Sequence, residues 1–141
     1  MTEKEQNEQK KEYLNSYKNL CKKLRSLEEQ IQSLRIAAES AKVQSITDMP
    51  MGNKQTDLSD YMVQLEVVFT KIIQMKADCM KKRIEIEIRI ADMPDGIESS
   101  ILHKRYIEFK PWENICVEID YSWMQTHRYH GMALRNFKMV N

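Results

Sequence analysis

From Tyr13 onward, apolar residues fall at Tyr13, Tyr17, Leu20, Leu24, Leu27, Ile31, Leu34, Ala38 and Ala41, in alternating steps of four and three. That spacing is the seam of a helix built to lie against another helix, because only a heptad rhythm keeps the same stripe facing one neighbour over so many turns. The intervening positions hold Lys, Arg, Glu and Gln, good helix formers that keep the remaining faces wet, and no proline interrupts them. The pattern predicts one helix over residues 5–43.

Residues 45–59, SITDMPMGNKQTDLS, gather Pro50, Gly52, Asn53 and several cap-forming side chains, so the chain is expected to leave the helix and turn. A loop over 45–57 follows, with Thr56, Asp57 or Ser59 placed to cap a second helix. That helix is read to about Ala91 from Leu58, Met62, Leu65, Phe69, Ile72, Cys79, Ile86 and Ile90. Val68, Ile73, Met75, Met80, Ile84 and Ile88 widen the stripe beyond a strict seam. Folding back on the first helix satisfies only part of it, and the rest calls for a further neighbour, in the same chain or a second copy. Residues 1–92 are thus expected to form a coiled-coil hairpin.

Pro94 and Gly96 end the second helix, and the texture changes. Residues 97–109 read as one helix with Ile101, Leu102, Arg105, Tyr106 and Phe109 spaced by turns. Pro111 suits the first position of the next, 111–119, with Trp112, Ile115, Cys116 and Ile119 on one face. Ser122 is placed to cap a last helix to about Lys138, whose inward set is Thr126, Tyr129, Ala133, Leu134 and Phe137. The fold class is all-α, and a separate unit over 97–141 has the helix count and lengths of a helix-turn-helix.

With 141 residues there is no room for two full-sized globular domains, and only three glycines and three prolines in a chain 30% charged favour long helices over a turn-rich sheet. The net charge of +1 is uninformative, but its distribution is not. Residues 122–141 contain Arg128, Arg135 and Lys138 with His127 and His130, and no Asp or Glu. A phosphate-facing surface needs that asymmetry. Cys21, Cys79 and Cys116 are too scattered for a disulfide framework or a zinc site. The polar start MTEKEQNEQKKEY is unlike a signal peptide, and no apolar run reaches membrane length, so a cytoplasmic location without membrane contact is expected. There is no glycine-rich phosphate loop, HExxH or spaced carboxylate pair, so no enzyme, cofactor or metal is expected. His127 and His130 would need outside carboxylates to hold a metal.

The run ILHKRYIEFKPWENICVEIDYSWMQTHRYHGMALRNF, residues 101–137, resembles region four of the bacterial sigma factors. Arg105-Tyr106, Glu113-Asn114-Ile115-Cys116, Ser122 and Ala133-Leu134 stand where that pattern wants them. A charged hairpin followed by this module is similar to small phage regulators of Gram-positive bacteria of the ArpU-like and RinA-like kind. Cys116 replaces a small alanine of the pattern, Asp120 a turn glycine, and Thr126 a branched apolar residue. The resemblance implies a sequence-specific DNA-binding regulator of late gene transcription, phage or prophage encoded, working in the bacterial host cytoplasm. Double-stranded DNA is the implied partner, and the coiled coil either dimerises the protein or contacts RNA polymerase.

Carried over residue by residue, the base-reading candidates are Trp123, Met124, Gln125, His127 and Arg128. Arg128 could grip guanine, Gln125 adenine, and Met124 or Trp123 a thymine methyl. Lys110, Trp112, Tyr121, Arg135 and Lys138 are placed for phosphate oxygens. Trp112 reads equally as core and Tyr121 as turn packing, and His130 is expected to make a structural hydrogen bond. Rival readings are a small terminase-like DNA-packaging factor and a structural coiled-coil interaction protein.

Overall fold

The computed structural model describes residues 1–47 and 52–139, and their side chains outside 44–57. Five α-helices follow in order: α1 Glu3–Thr47, α2 Gly52–Ala91, α3 Gly96–Leu102, α4 Trp112–Ile119 and α5 Trp123–Asn136. Among the described residues there is no strand, and no helix is long and apolar enough to cross a membrane. The two long helices extend further into the expected 45–57 loop than their sequence limits suggested, to Thr47 and from Gly52. Pro50, the residue expected to break the helix, lies outside the described residues, and the expected caps Thr56 and Asp57 lie within α2.

Contacts divide the chain into two units: Cys21–Asp78, and Met1–Leu20 together with Cys79–Asn141. In the first unit, Ile31 of α1 packs with Val68 and Ile72 of α2, flanked by Leu24, Leu27, Leu34 and Leu65. The seam of α2 here is Leu65, Val68, Ile72, a three-four alternation that a single facing helix can cover. Met62 and Phe69, assigned to the seam from sequence, are instead 57% and 51% exposed, whereas Val68, read as a flank, is buried. The stripe is wider than one neighbour covers, so the register that best matches α1 takes the inside.

In the second unit the start of α1 and the end of α2 share a core with the three short helices. Leu14 and Tyr17 of α1, Ile86 and Ile90 of α2, and Ile101, Ile115, Leu134 and Phe137 are all buried. Leu14, outside the sequence seam, is fully buried, because here α1 touches more than α2 and a wider arc of its surface is covered. The first twenty residues of the chain, read from sequence as part of the hairpin, therefore fall with the C-terminal helices.

Asp95 starts α3 by accepting from the amides of Ile97 (2.9 Å) and Glu98 (3.0 Å). The helix expected over 97–109 is not uniform: it continues past Leu102 as a π-helical turn, His103–Ile107, closed by the Glu108 amide on the His103 carbonyl at 3.0 Å. Two adjacent buried pairs, Ile101-Leu102 and Tyr106-Ile107, lie five residues apart. A five-residue turn brings both pairs to one side, which a 3.6-residue turn does not. Phe109 then reverses the chain with φ 59°, a conformation costly for a bulky side chain and held by packing of its ring on Tyr17 at 5.4 Å. Pro111 serves as the N-cap of α4 rather than its first residue, its carbonyl receiving the amides of Asn114 and Ile115. On α4, Ile115 is buried and Trp112, Cys116 and Ile119 half-buried, the face read from sequence.

Asp120 ends α4 with φ 60° and ψ 45°, the left-handed turn position at which the sigma pattern has glycine. Its Cβ carries a steric cost there, and its charge faces the negative end of the α4 dipole. Asp120→Gly is expected to raise stability by about 0.5 kcal/mol, the relief of strain outweighing the greater freedom of glycine in the unfolded chain. A lowered urea midpoint would show that the aspartate contributes something the turn geometry does not account for.

Candidate nucleic-acid interface

α5 begins with a reciprocal cap. Ser122 Oγ accepts from the Gln125 amide at 3.1 Å, and Gln125 Oε1 accepts from the Ser122 amide at 3.2 Å. The first turn is thereby rigid, and its exposed side chains are held in a fixed relation. The inner side of α5 is anchored by Thr126, His130, Ala133, Leu134 and Phe137, all buried, while Tyr129, expected inside, is half-buried against Tyr121. Exposed at the start of the helix are Trp123 (53%), Met124 (81%), Gln125 and Arg128. Arg128 takes part in no ion pair among the described residues. Met124, Arg128 and Met132 recur at four-residue intervals, so they line one face.

The other two base-reading candidates sit differently. The carbonyl end of Gln125 is committed to the cap, so gripping adenine through both ends of its amide would open the capping box. His127 is half-buried between two indoles, with ring centroids 4.5 Å from Trp112 and 4.4 Å from Trp123. It thus supports Trp123 from below rather than reaching outward.

The expected phosphate residues fall in two groups. Lys110, Trp112 and Tyr121 lie at the entry to α4 and in the turn before α5. Lys110 is held by Glu108 at 3.3 Å and by a closer contact with Glu118, which also receives Lys104 at 3.3 Å. These carboxylates hold the Lys110 ammonium above the usual lysine range and, through Lys110 and Lys104, hold Glu118 below the usual carboxylate range. Glu108 and Glu118 are exposed and Lys104 and Lys110 half-buried, so the pairs are open to solvent on the carboxylate side and contribute little. Trp112 is half-buried, with the Arg105 guanidinium 4.8 Å from its ring and His130 edge-on at 4.6 Å. Tyr121 stacks on Tyr129 at 5.3 Å. The second group, Arg135 and Lys138, is exposed at the end of α5, with Arg135 3.9 Å from Glu3 and the Lys138 carbonyl receiving Arg89 at 3.4 Å.

Lys10 had no role in the sequence reading. Its ammonium donates to the carbonyls of Leu134 (2.8 Å) and Arg135 (3.0 Å), capping the negative end of α5. Burial lowers its pKa, with Glu3 opposing the shift. Contacts spanning more than a hundred residues leave no mark on local sequence, so nothing could have pointed to it.

Behind the exposed face, Tyr106 Oη lies 2.8 Å from His130 Nε2, the structural hydrogen bond expected for that histidine. Burial pushes the His130 pKa down to about 4, aided by Lys11, and pushes Tyr106 up to about 12. At neutral pH the phenol therefore donates to an unprotonated ring nitrogen. The pair joins the π-helical turn to α5.

Residues 37–138 match the family described as protein of unknown function DUF1492. The chain belongs to the DUF1492 family. No curated protein and no solved structure matches it. The matched stretch runs from Ala37 through α2 and the short helices, so the DUF1492 pattern joins the hairpin to the capped α5. It leaves out residues 1–36, among them Lys10, Leu14 and Tyr17, which complete the core beneath that helix.

Proposed function

We propose that this DUF1492 protein is a sequence-specific DNA-binding transcription regulator, phage or prophage encoded and acting on late genes, with α5 as the helix that enters the major groove. One observation carries the reading: a rigidly capped helix presents Trp123, Met124 and Arg128 outward from a buried inner face, in a stretch that contains no acid. The α4–turn–α5 arrangement supports a sigma region-four type of helix-turn-helix, in which the second helix reads bases and the flanking cations hold the backbone. Arg128 would supply the guanine contact and Trp123 or Met124 the apolar contact with a thymine methyl. Lys110, Tyr121, Arg135 and Lys138 would position the module on phosphates, and Trp112 would act indirectly, by holding His127. The hairpin would either dimerise the protein or contact RNA polymerase.

The test is binding to fragments of the neighbouring genome at several salt concentrations. Site-selective binding that weakens steeply with salt is expected, and Arg128→Ala should lower specific affinity by about 1–3 kcal/mol while leaving non-specific binding nearly unchanged. A folded protein with no binding above background at low salt would remove α5 as a reading helix.

A further inference from the structure

In the unit formed by residues 21–78, α2 carries Met62, Glu66, Phe69 and Ile73 at intervals of four, three and four, on the flank of the helix rather than toward α1. Met62, Val63, Phe69 and Ile73 each leave more than half of their surface in water. Beside them a trough runs between the two helices, floored by Ile31 and edged by Arg35 from α1 and Glu66 from α2. Arg35 and Glu66 are both exposed, and neither takes part in an ion pair among the described residues. We infer that this trough pairs two copies of the chain about a twofold axis, with α2 of each copy seated against the other and Arg35 of each opposite Glu66 of its partner.

Charge selects this occupant. A twofold interface brings the same patch together from both sides, so residue i of one copy meets residue j of the other and the converse holds. A patch with one cation, one anion and an apolar centre is complementary to itself. Nucleic acid is disfavoured by the acid on its edge and by the apolar floor. Area agrees: an aromatic side chain buries roughly 150–250 Å² when fully covered and Met, Val and Ile somewhat less, so the exposed halves of Met62, Val63, Phe69 and Ile73 amount to roughly 300 Å² per copy. With the polar rim the pair reaches about 1,000 Å², the lower bound of a specific interface. The dimer should accordingly be weak, in the micromolar range.

Sedimentation of the full chain without DNA, from low-micromolar to submillimolar concentration, tests the inference. The wild type is expected to shift from monomer to dimer over that range. Arg35→Glu and Glu66→Arg should each weaken dimerisation by at least about tenfold through like-charge opposition, and the double variant should recover most of it. Phe69→Ser should yield a monomer regardless of how the charges align, and as an exposed change it keeps the fold, which circular dichroism checks. A wild type that stays monomeric throughout overturns the proposal. So does a dimer indifferent to these variants, or a double variant no tighter than the singles. Because no nucleic acid is present, failure of the DNA-binding reading would leave these results unaffected.

Discussion

Phe137→Ala is expected to destabilise the unit that contains α5 by about 3–5 kcal/mol, the cost of removing a buried aromatic side chain and leaving part of its volume empty. Phe137 is 1% exposed at the C-cap of α5, with its amide on the Ala133 carbonyl at 2.9 Å. Its ring lies 6.0 Å from that of Tyr13, whose hydroxyl donates to Glu85 at 2.5 Å and whose face takes Lys82 and Arg89. One side chain thus ties the end of α5 to both α1 and α2. Trp112 and Trp123 belong to this unit, so urea unfolding followed by tryptophan fluorescence reads it directly. Met124→Ala is the internal control: 81% exposed, it should stay within about 0.5 kcal/mol of wild type. A Phe137→Ala loss below 1 kcal/mol would mean that the end of α5 is not anchored in this core.

The contrast between those two residues marks what the sequence could and could not express. Helix existence follows from periodicity, so five helical segments, the Ser122 cap and the inward positions Thr126, Ala133, Leu134 and Phe137 were readable. The left-handed turn at Asp120 was legible only through the family resemblance, whose pattern has glycine there. Registers that depend on several neighbours were not. Leu14 is buried because α1 meets more than α2, and Met62 and Phe69 are outside because α1 alone cannot cover the α2 stripe. The π-helical turn is invisible to a search that assumes 3.6 residues per turn. At the candidate interface, the exposure of Trp123, Met124 and Arg128 follows from the helical spacing of the inward set. The commitment of Gln125 to its own cap and of His127 to a place between two indoles depends on rotamers, which spacing does not encode.

The buried Tyr106–His130 pair should make acid the condition to which the α5 anchor is most sensitive. In the unfolded chain His130 protonates near its ordinary 6.5, whereas in the fold burial holds it unprotonated down to about 4. Between those values the unfolded state binds the extra proton, so stability is fully present above pH 6.5 and is lost as pH falls toward 4, by about 3 kcal/mol in all. The carboxylates held low by their partners, Glu85, Glu108 and Glu118, titrate below 4.5 and add their losses only at the acid end of that window. Protonation also removes the acceptor for the Tyr106 hydroxyl, so two polar groups lose their partner in one step. Urea midpoints for wild type and His130→Gln across this range should separate the contributions. The variant starts lower at pH 7.5, having lost the phenol–imidazole contact, but its stability should run nearly flat from pH 6.5 to 5 where the wild type falls. Parallel curves would place the acid sensitivity elsewhere and leave His130 only a packing role. If the curves converge as expected, acid loosens the attachment of α5 to the π-helical turn. The DNA binding proposed for a helix held in that way should then fail at a higher pH than bulk unfolding of α1 and α2, whose pairing over residues 21–78 contains no histidine.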